Sequence, residues 1–178
     1  KKIRHINIKT PNSIIIKKNQ AINLESIIKQ IKLPLFIKPN NGGSSFGISR
    51  VENKNDIIKA LKKCFLEDNE ALVEEEINGR EITVGVIIYK NKILALPPTE
   101  IKSHNSFFDF NAKYKGESDE ITPANITKEN KTIIQNLAIK IFKKLKLKGF
   151  TRSDFILTDN EFYFLEINTV PGLTKESI

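Results

Sequence analysis

A chain of 178 residues can form one large domain or two small ones. Its hydrophobic fraction of 39% supports a core and excludes disorder as the main state, and no apolar run approaches the roughly 18 residues that span a bilayer. The single cysteine, Cys64, excludes an intramolecular disulfide framework and a thiolate-only zinc site, and it suits a reducing cytosol.

The formal charge of +8 would suit an anionic partner. Only four of the 29 basic residues are arginines, whereas nucleic-acid surfaces favour arginine interleaved with aromatic side chains. We therefore interpret the lysines as compositional bias and expect neither a nucleic-acid nor a membrane partner.

The first part of the chain predicts alternating strands and helices. Short β-branched and aromatic runs predict strands near 14–16, 35–38, 46–51 and 71–75. Apolar residues recur at helical spacing in 24–31 and 57–65, and Cys64 on the second helix is expected in the core.

The second part predicts a hairpin of strands 81–89 and 93–96. Residues 99–123 are polar and show neither the helical nor the strand periodicity of apolar residues, so we predict a long active-site loop there. An apolar stripe over 133–145 predicts a long helix that ends before Gly149. Strands 150–157 and 162–168 are then expected to pair.

The last two predicted strands carry candidate metal ligands. Asp154 lies on one strand and Glu166 and Asn168 on the other, where period two puts Glu166 and Asn168 on the same face. Carboxylate and amide oxygens are the ligands that Mg²⁺ prefers, so this set suggests a metal-nucleotide site. An exposed hydrophilic strand face is the alternative.

Lys38 ends a predicted strand and precedes a loop rich in glycine and serine, NNGGSSFG. A point cation followed by free backbone amides suits a triphosphate. The spacing differs from a Walker loop, because no lysine follows the glycines at the required place. An ordinary hairpin turn is the alternative.

Five motifs occur in order: KPNNGGSSFG (38–47), VEEEINGRE (73–81), FFDFNAKY (107–114), RSDF (152–155) and EINTVPGLT (166–174). Together they resemble the ATP-grasp family, and within it the D-alanine:D-alanine ligases. The resemblance implies an α/β (α+β) fold of two small subdomains, 1–75 and 76–178, with the nucleotide between their sheets. It also implies that the N-terminal substrate domain and the C-terminal end lie outside this chain.

The resemblance also implies roles for individual residues. Lys38 and Lys113 would contact the ATP phosphates, and Glu81 would bind the ribose. The adenine pocket would be formed by Glu74, Glu75, Ile77 and, near the base, Phe107. Glu76 departs from the family, which usually has an aromatic residue there, so it would weaken adenine stacking or point to solvent.

Asp154, Glu166 and Asn168 would hold two magnesium or manganese ions. Arg152 and the amide of Gly172 would stabilise negative charge on the reacting carboxyl group, and Ser177 would hold the carboxylate of the second alanine. Tyr114 would hydrogen-bond toward Ser44 and close the site.

The implied reaction joins two D-alanine molecules through an acyl phosphate, with ATP converted to ADP, for peptidoglycan synthesis in the cytoplasm. A homodimer is implied for the full-length protein, and the present chain alone is expected to be inactive. The alternatives are another ATP-grasp carboxylate-amine or depsipeptide ligase and a non-catalytic nucleotide-binding module.

Overall fold

The structure is a computed structural model that describes residues 7–42, 45–103, 118–159 and 161–173. These residues form two compact units. The N-terminal unit extends from Pro11 to Glu76, and the C-terminal unit contains residues 7–10 and the described residues from Ile77 onward. Within the described ranges, no helix combines the length and apolarity needed to cross a membrane.

The N-terminal unit is an antiparallel sheet of order β1-β4-β2-β3 with two helices. The strands are Ser13–Lys17 (β1), Leu35–Pro39 (β2), Ser49–Val51 (β3) and Glu70–Glu75 (β4). The helices are Leu24–Gln30 (α1) and Ile57–Cys64 (α2), the latter preceded by a 3₁₀ turn at Lys54–Asp56. Each element lies within a few residues of its predicted position.

The core of this unit lies between one sheet face and the helices. Leu35, Ile37 and Val73 alternate inward and are fully buried with Leu61 and Cys64 of α2. The prediction that Cys64 is a core residue is thus confirmed.

Strand β3 begins later than predicted because a turn continues through Gly47. Ser45 and Gly47 have φ angles of +59° and +74°, a left-handed conformation incompatible with a strand. A Cβ atom on Gly47 would lie 2.9 Å from carbons of Pro39 and Glu67, so both the space and the backbone favour glycine. Extended pairing therefore begins at Ser49, opposite Ile37.

The C-terminal unit is a second antiparallel sheet, of order β10-β9-β5-β7-β8 with β6 paired to β5. The strands are Arg80–Tyr89 (β5), Lys92–Ala95 (β6), Thr99–Ser103 (β7), Ser118–Ile121 (β8), Phe150–Leu157 (β9) and Phe162–Asn168 (β10). Helix Lys128–Lys144 (α3) covers one face, and its first turn is capped by Thr127, whose hydroxyl accepts a hydrogen bond from the Asn130 amide at 3.1 Å.

Residues 99–123 differ from the predicted loop at both ends, where β7 and β8 pair with each other. Of the five residues of β7, only Ile101 is apolar, so the hydrophobic pattern of a strand is weak. β7 also pairs with β5, and buried Glu100 accepts two 2.7 Å hydrogen bonds from Arg80. A long-range ion pair of this kind leaves no local signal. Residues 104–117 lie outside the described residues.

Strand β10 contains a bulge at Leu165, which determines where its polar residues point. Phe164 lies opposite Phe155 and Glu166 lies opposite Asp154, so two steps along β10 correspond to one along β9. In a regular strand, Phe164 and Glu166 would share a face. The extra residue instead leaves Phe164 in the core and puts Glu166 on the opposite face.

Candidate functional site

A polar cluster occupies the face of the C-terminal sheet opposite its core. Ile82 and Val84 of β5 are fully buried, so the intervening Thr83 belongs to the other face. Thr83 lies opposite Asp154 of β9, which lies opposite Glu166 of β10. Three adjacent strands thus contribute one polar side chain each to the same row.

Asn168 completes this cluster two residues beyond Glu166. Its Nδ2 lies 3.1 Å from Oδ2 of Asp154 and 3.4 Å from Oε1 of Glu166. The structure therefore brings together the three side chains that the sequence suggested as metal ligands.

The carboxylate of Asp154 is held from two more sides. Arg152 donates from Nε to Oδ1 at 2.9 Å and from an Nη to Oδ2 at 3.0 Å, and the Thr83 hydroxyl donates to Oδ1 at 2.7 Å. All three residues are buried, with exposed fractions of 7% or less. Buried charges require such pairing, so the position of Asp154 is fixed by its neighbours.

Arg152 remains a cation in this setting. Burial lowers its pKa, but the hydrogen bonds to Asp154 and the charges of Asp154, Glu166 and Glu81 outweigh burial and leave the pKa above its ordinary value. The polar face therefore combines several carboxylates with one permanent positive charge, an arrangement that suits both a divalent cation and an anionic reactant.

The N-terminal unit carries a separate buried ion pair. Nζ of Lys38 lies 2.7 Å from Oε1 of Glu74, and both side chains are mostly buried. Lys38 is on β2 and Glu74 on β4, on the face opposite core residues Ile37 and Val73. The structure thus brings together two of the residues that the resemblance assigns to ATP.

The residues after Glu74 have other partners. Glu75 accepts hydrogen bonds from the backbone and side-chain nitrogens of Asn12, at 2.8 and 3.1 Å. Glu76 accepts two bonds of 2.9 Å from Arg50. The expectation that Glu76 could point freely to solvent is therefore wrong, because a bidentate guanidinium pair holds it. The charges and hydrogen bonds of Glu76 and Glu52 also raise the pKa of Arg50.

Some predicted site residues are not brought into either cluster. Ile77 is half-buried at the start of the C-terminal unit, and Gly172 is exposed beyond the end of β10. Glu81 is half-buried on β5. Five further predicted residues lie outside the described residues: Ser44, Phe107, Lys113, Tyr114 and Ser177.

The comparison with known families decides what kind of protein carries these clusters. Residues 4–178 match the family described as D-ala D-ala ligase C-terminus. The chain belongs to this family. It is 47% identical over 176 residues to a D-alanine–D-alanine ligase of Christiangramia forsetii and 49% identical over 171 residues to one of Flavobacterium johnsoniae. These alignments cover 99% and 96% of this chain, but 54% and 53% of the two relatives.

Solved structures of ligases with the family fold are also similar. The VanG D-Ala:D-Ser ligase from Enterococcus faecalis superimposes with a TM-score of 0.88 at 36% identity, and covers 99% of this chain with 52% of its own. The D-alanine–D-alanine ligase from Bacillus anthracis gives 0.82 at 34% identity, with coverages of 99% and 57%. The α+β fold with two antiparallel sheets is therefore confirmed, and the chain spans about half the length of these relatives.

Sequence reasoning missed two residues of the polar clusters. Thr83 is one of three threonines in the described strands, and only the β5–β9 register shows that it meets Asp154. Arg50 could have been suspected because it and Glu76 are of opposite charge, but they are 26 residues apart in sequence. In both cases the contact depends on tertiary pairing, which the sequence alone does not show.

Membership of this ligase family raises the question of whether the cluster fits divalent cations. No group of three or more His, Cys, Asp or Glu residues suited to a metal occurs in the described part of the chain, so Asn168 would have to take part. Asp154 already accepts four hydrogen bonds, the capacity of a carboxylate. If the side-chain amide of Asn168 turned over, its oxygen would take the place of its nitrogen. One hydrogen-bond donor to Asp154 would then be replaced by a metal ligand, and Asp154, Glu166 and Asn168 would offer three oxygen ligands. The residues therefore fit Mg²⁺.

Proposed function

We propose that the protein to which this chain belongs joins two D-alanine molecules with ATP as the energy source. A carboxylate oxygen of the first D-alanine attacks the γ-phosphorus of ATP, which gives an acyl phosphate and ADP. The amine of the second D-alanine attacks the acyl carbon, phosphate leaves with the bonding electrons, and the nitrogen loses a proton as the dipeptide forms. The observation that carries this proposal is the cluster of Asp154, Glu166, Asn168 and Arg152 in a chain of this ligase family.

The polar face supplies what phosphoryl transfer requires, which is neutralisation and orientation of charge. Asp154, Glu166 and Asn168 would hold one or two magnesium ions, which when bound neutralise phosphate oxygens. Arg152, fixed by two hydrogen bonds to Asp154, would direct its positive charge at the reacting carboxyl group.

The nucleotide would also be held by residues of the N-terminal unit. Lys38 is mostly desolvated beside Glu74, so a phosphate oxygen that replaces this partner meets a strong point charge. The carboxylate of Glu74 would then be free to accept from the adenine amine. Glu81, Glu75, Ile77, Phe107 and Lys113 keep the roles that the family implies, as do Ser44, Tyr114, Gly172 and Ser177.

For the whole protein, we propose a homodimer in the cytoplasm that makes the dipeptide for peptidoglycan. We also propose that the N-terminal and C-terminal units are the small and large ATP-grasp subdomains. The mass measured by analytical ultracentrifugation tests the dimer.

A second candidate is formation of D-alanyl-D-serine. It is favoured by the TM-score of 0.88 with a D-Ala:D-Ser ligase, which is higher than the 0.82 with the D-alanine–D-alanine ligase from Bacillus anthracis. The two reactions share every step on the ATP side and differ only in the amine that attacks.

The test is product analysis with the full-length protein, ATP and Mg²⁺. D-alanine alone, D-alanine with D-serine, and D-alanine with D-lactate are supplied, and products are identified by mass spectrometry. We expect D-alanyl-D-alanine with stoichiometric ADP. A mixed product formed in preference would favour the D-serine or the depsipeptide alternative, and ATP binding without any product would favour a non-catalytic module.

A further inference from the structure

Two segments of the C-terminal unit, residues 82–99 and 130–153, contain basic residues without any acidic one. Together they contain nine basic residues and no acidic one, whereas the rest of the chain contains 20 basic and 21 acidic residues. The two segments together carry a formal charge of +9.

The two segments meet at one end of the C-terminal sheet. Ile87 of β5 lies opposite Phe150 of β9, and the amide of Ile88 donates to the Gly149 carbonyl at 3.2 Å. The tip of the β5–β6 hairpin and the turn between α3 and β9 are therefore neighbours.

Seven exposed lysines project from these neighbouring turns and from the end of α3. We call them the basic end: Lys90, Lys92, Lys140, Lys143, Lys144, Lys146 and Lys148. None of them forms an ion pair with any carboxylate in the described part of the chain. Their charges are thus directed at solvent and reinforce one another.

Apolar side chains are exposed beside these charges. Ile88 and Tyr89 have exposed fractions of 43% and 55%, and Leu94 on β6 is similarly exposed. Nζ of Lys90 lies 5.3 Å from the centre of the Tyr89 ring, so charge and aromatic surface adjoin. A hairpin tip that combines lysine, tyrosine and aliphatic residues is suited to the interface between lipid headgroups and acyl chains.

We propose that the basic end binds the surface of bilayers rich in anionic phospholipid. The lysines supply attraction to the headgroups, and Ile88 and Tyr89 supply shallow insertion. Nucleic acid is the less favoured occupant, because the only arginine of the two segments, Arg152, is buried against Asp154 and a single tyrosine offers little stacking. Binding through these side chains is expected to be reversible and sensitive to salt.

The experiment is vesicle co-sedimentation of the full-length protein at low and high salt. Vesicles of phosphatidylcholine alone are compared with vesicles that also contain phosphatidylglycerol. We expect binding only to the anionic vesicles and its loss at high salt. Each lysine near an anionic surface accounts for about a fivefold change in affinity, so Lys→Gln at 143, 144, 146 and 148 should weaken binding more than about 50-fold.

The matched control carries Lys→Gln at exposed positions 29, 32, 59 and 62 of the N-terminal unit, which changes the net charge by the same amount. It should retain binding, and Tyr89→Ser in the wild-type background should weaken binding at low salt. Both lysine variants should keep ligase activity. A negative result in the vesicle experiment is therefore distinct from a failure of the proposed reaction. Equal loss in both variants, no binding to anionic vesicles, or binding to an RNA or DNA duplex alone would overturn the proposal.

Discussion

Asp154 accepts hydrogen bonds from three side chains, and the Thr83 hydroxyl gives the shortest, at 2.7 Å. Thr83 is almost fully buried, so no water replaces its hydroxyl if the residue is changed. A threonine that no motif contains is thereby a positioning residue for the central carboxylate of the cluster.

We predict that Thr83→Val lowers the free energy of unfolding by about 1.5–3 kcal/mol, since it removes a buried hydrogen bond to a charged group. Thr83→Ser retains the hydroxyl and should recover most of that loss. Urea denaturation of both variants measures the difference. Thr132→Val, the same change at an exposed position, should have little effect, and an equally large loss there would remove the special role of Thr83.

Cys64 illustrates a residue whose chemistry is suppressed by its surroundings. Burial, together with the charges of Asp68 and Glu67, raises the pKa of the thiol from its ordinary value of 9.0 to about 11. Folding therefore favours the protonated thiol. The contribution of this thiol to the free energy of unfolding is complete below about pH 9 and is lost as the pH rises through 11.

We therefore predict that Cys64 of the folded chain reacts slowly with a disulfide reagent such as dithiobisnitrobenzoate at pH 8, and that the rate rises steeply as the pH approaches 11. The urea-unfolded chain should react rapidly at pH 8. Comparable rates for the folded and unfolded chains at pH 8 would contradict the burial of this thiol.

The bulge in β10 accommodates Leu165 and keeps the proposed metal ligand Glu166 opposite Asp154. Two deletions in the same strand should therefore differ in their effect on the positions of Glu166 and Asn168. Deletion of Leu165 removes the extra residue and leaves Glu166 opposite Asp154, whereas deletion of Ile167 shifts Asn168 by one position and turns it toward the core.

We predict that the full-length protein lacking Leu165 retains Mg²⁺-dependent ATP binding, and that the protein lacking Ile167 loses it. Calorimetry measures the binding, and circular dichroism checks that both variants fold. Retained binding after the Ile167 deletion, or equal loss in two folded variants, would contradict this account of the register.

The elements differ in how far the sequence predicts them. Helix α3 and the β5–β6 hairpin are readable because their periodicity is local, and the hairpin turn residues Lys90 and Asn91 adopt the positive φ angles of a tight two-residue turn. Strands β7 and β8 are not readable, because their stability depends on distant pairing. The same distinction applies to the candidate site: period two predicts that Glu166 and Asn168 share a face, but only the β9–β10 register puts them beside Asp154.

At the scale of the whole molecule, the chain contains two kinds of polar surface in its C-terminal unit. One face of the sheet carries the carboxylates of Asp154 and Glu166 with Arg152 among them, and one end carries lysines that form no ion pair with a described residue. We propose that the carboxylates of the first surface act in phosphoryl transfer from ATP.

The most direct test of that claim is ADP release by the full-length protein carrying Glu166→Gln, assayed with ATP, Mg²⁺ and D-alanine. Glu166 is exposed, so the variant should fold as stably as the wild type, while loss of a ligand charge should reduce ADP release by more than about 100-fold. Glu161→Gln makes the same change at a glutamate that pairs with Lys9 and should leave the rate nearly unchanged. A folded Glu166→Gln protein that releases ADP at close to the wild-type rate would contradict the account.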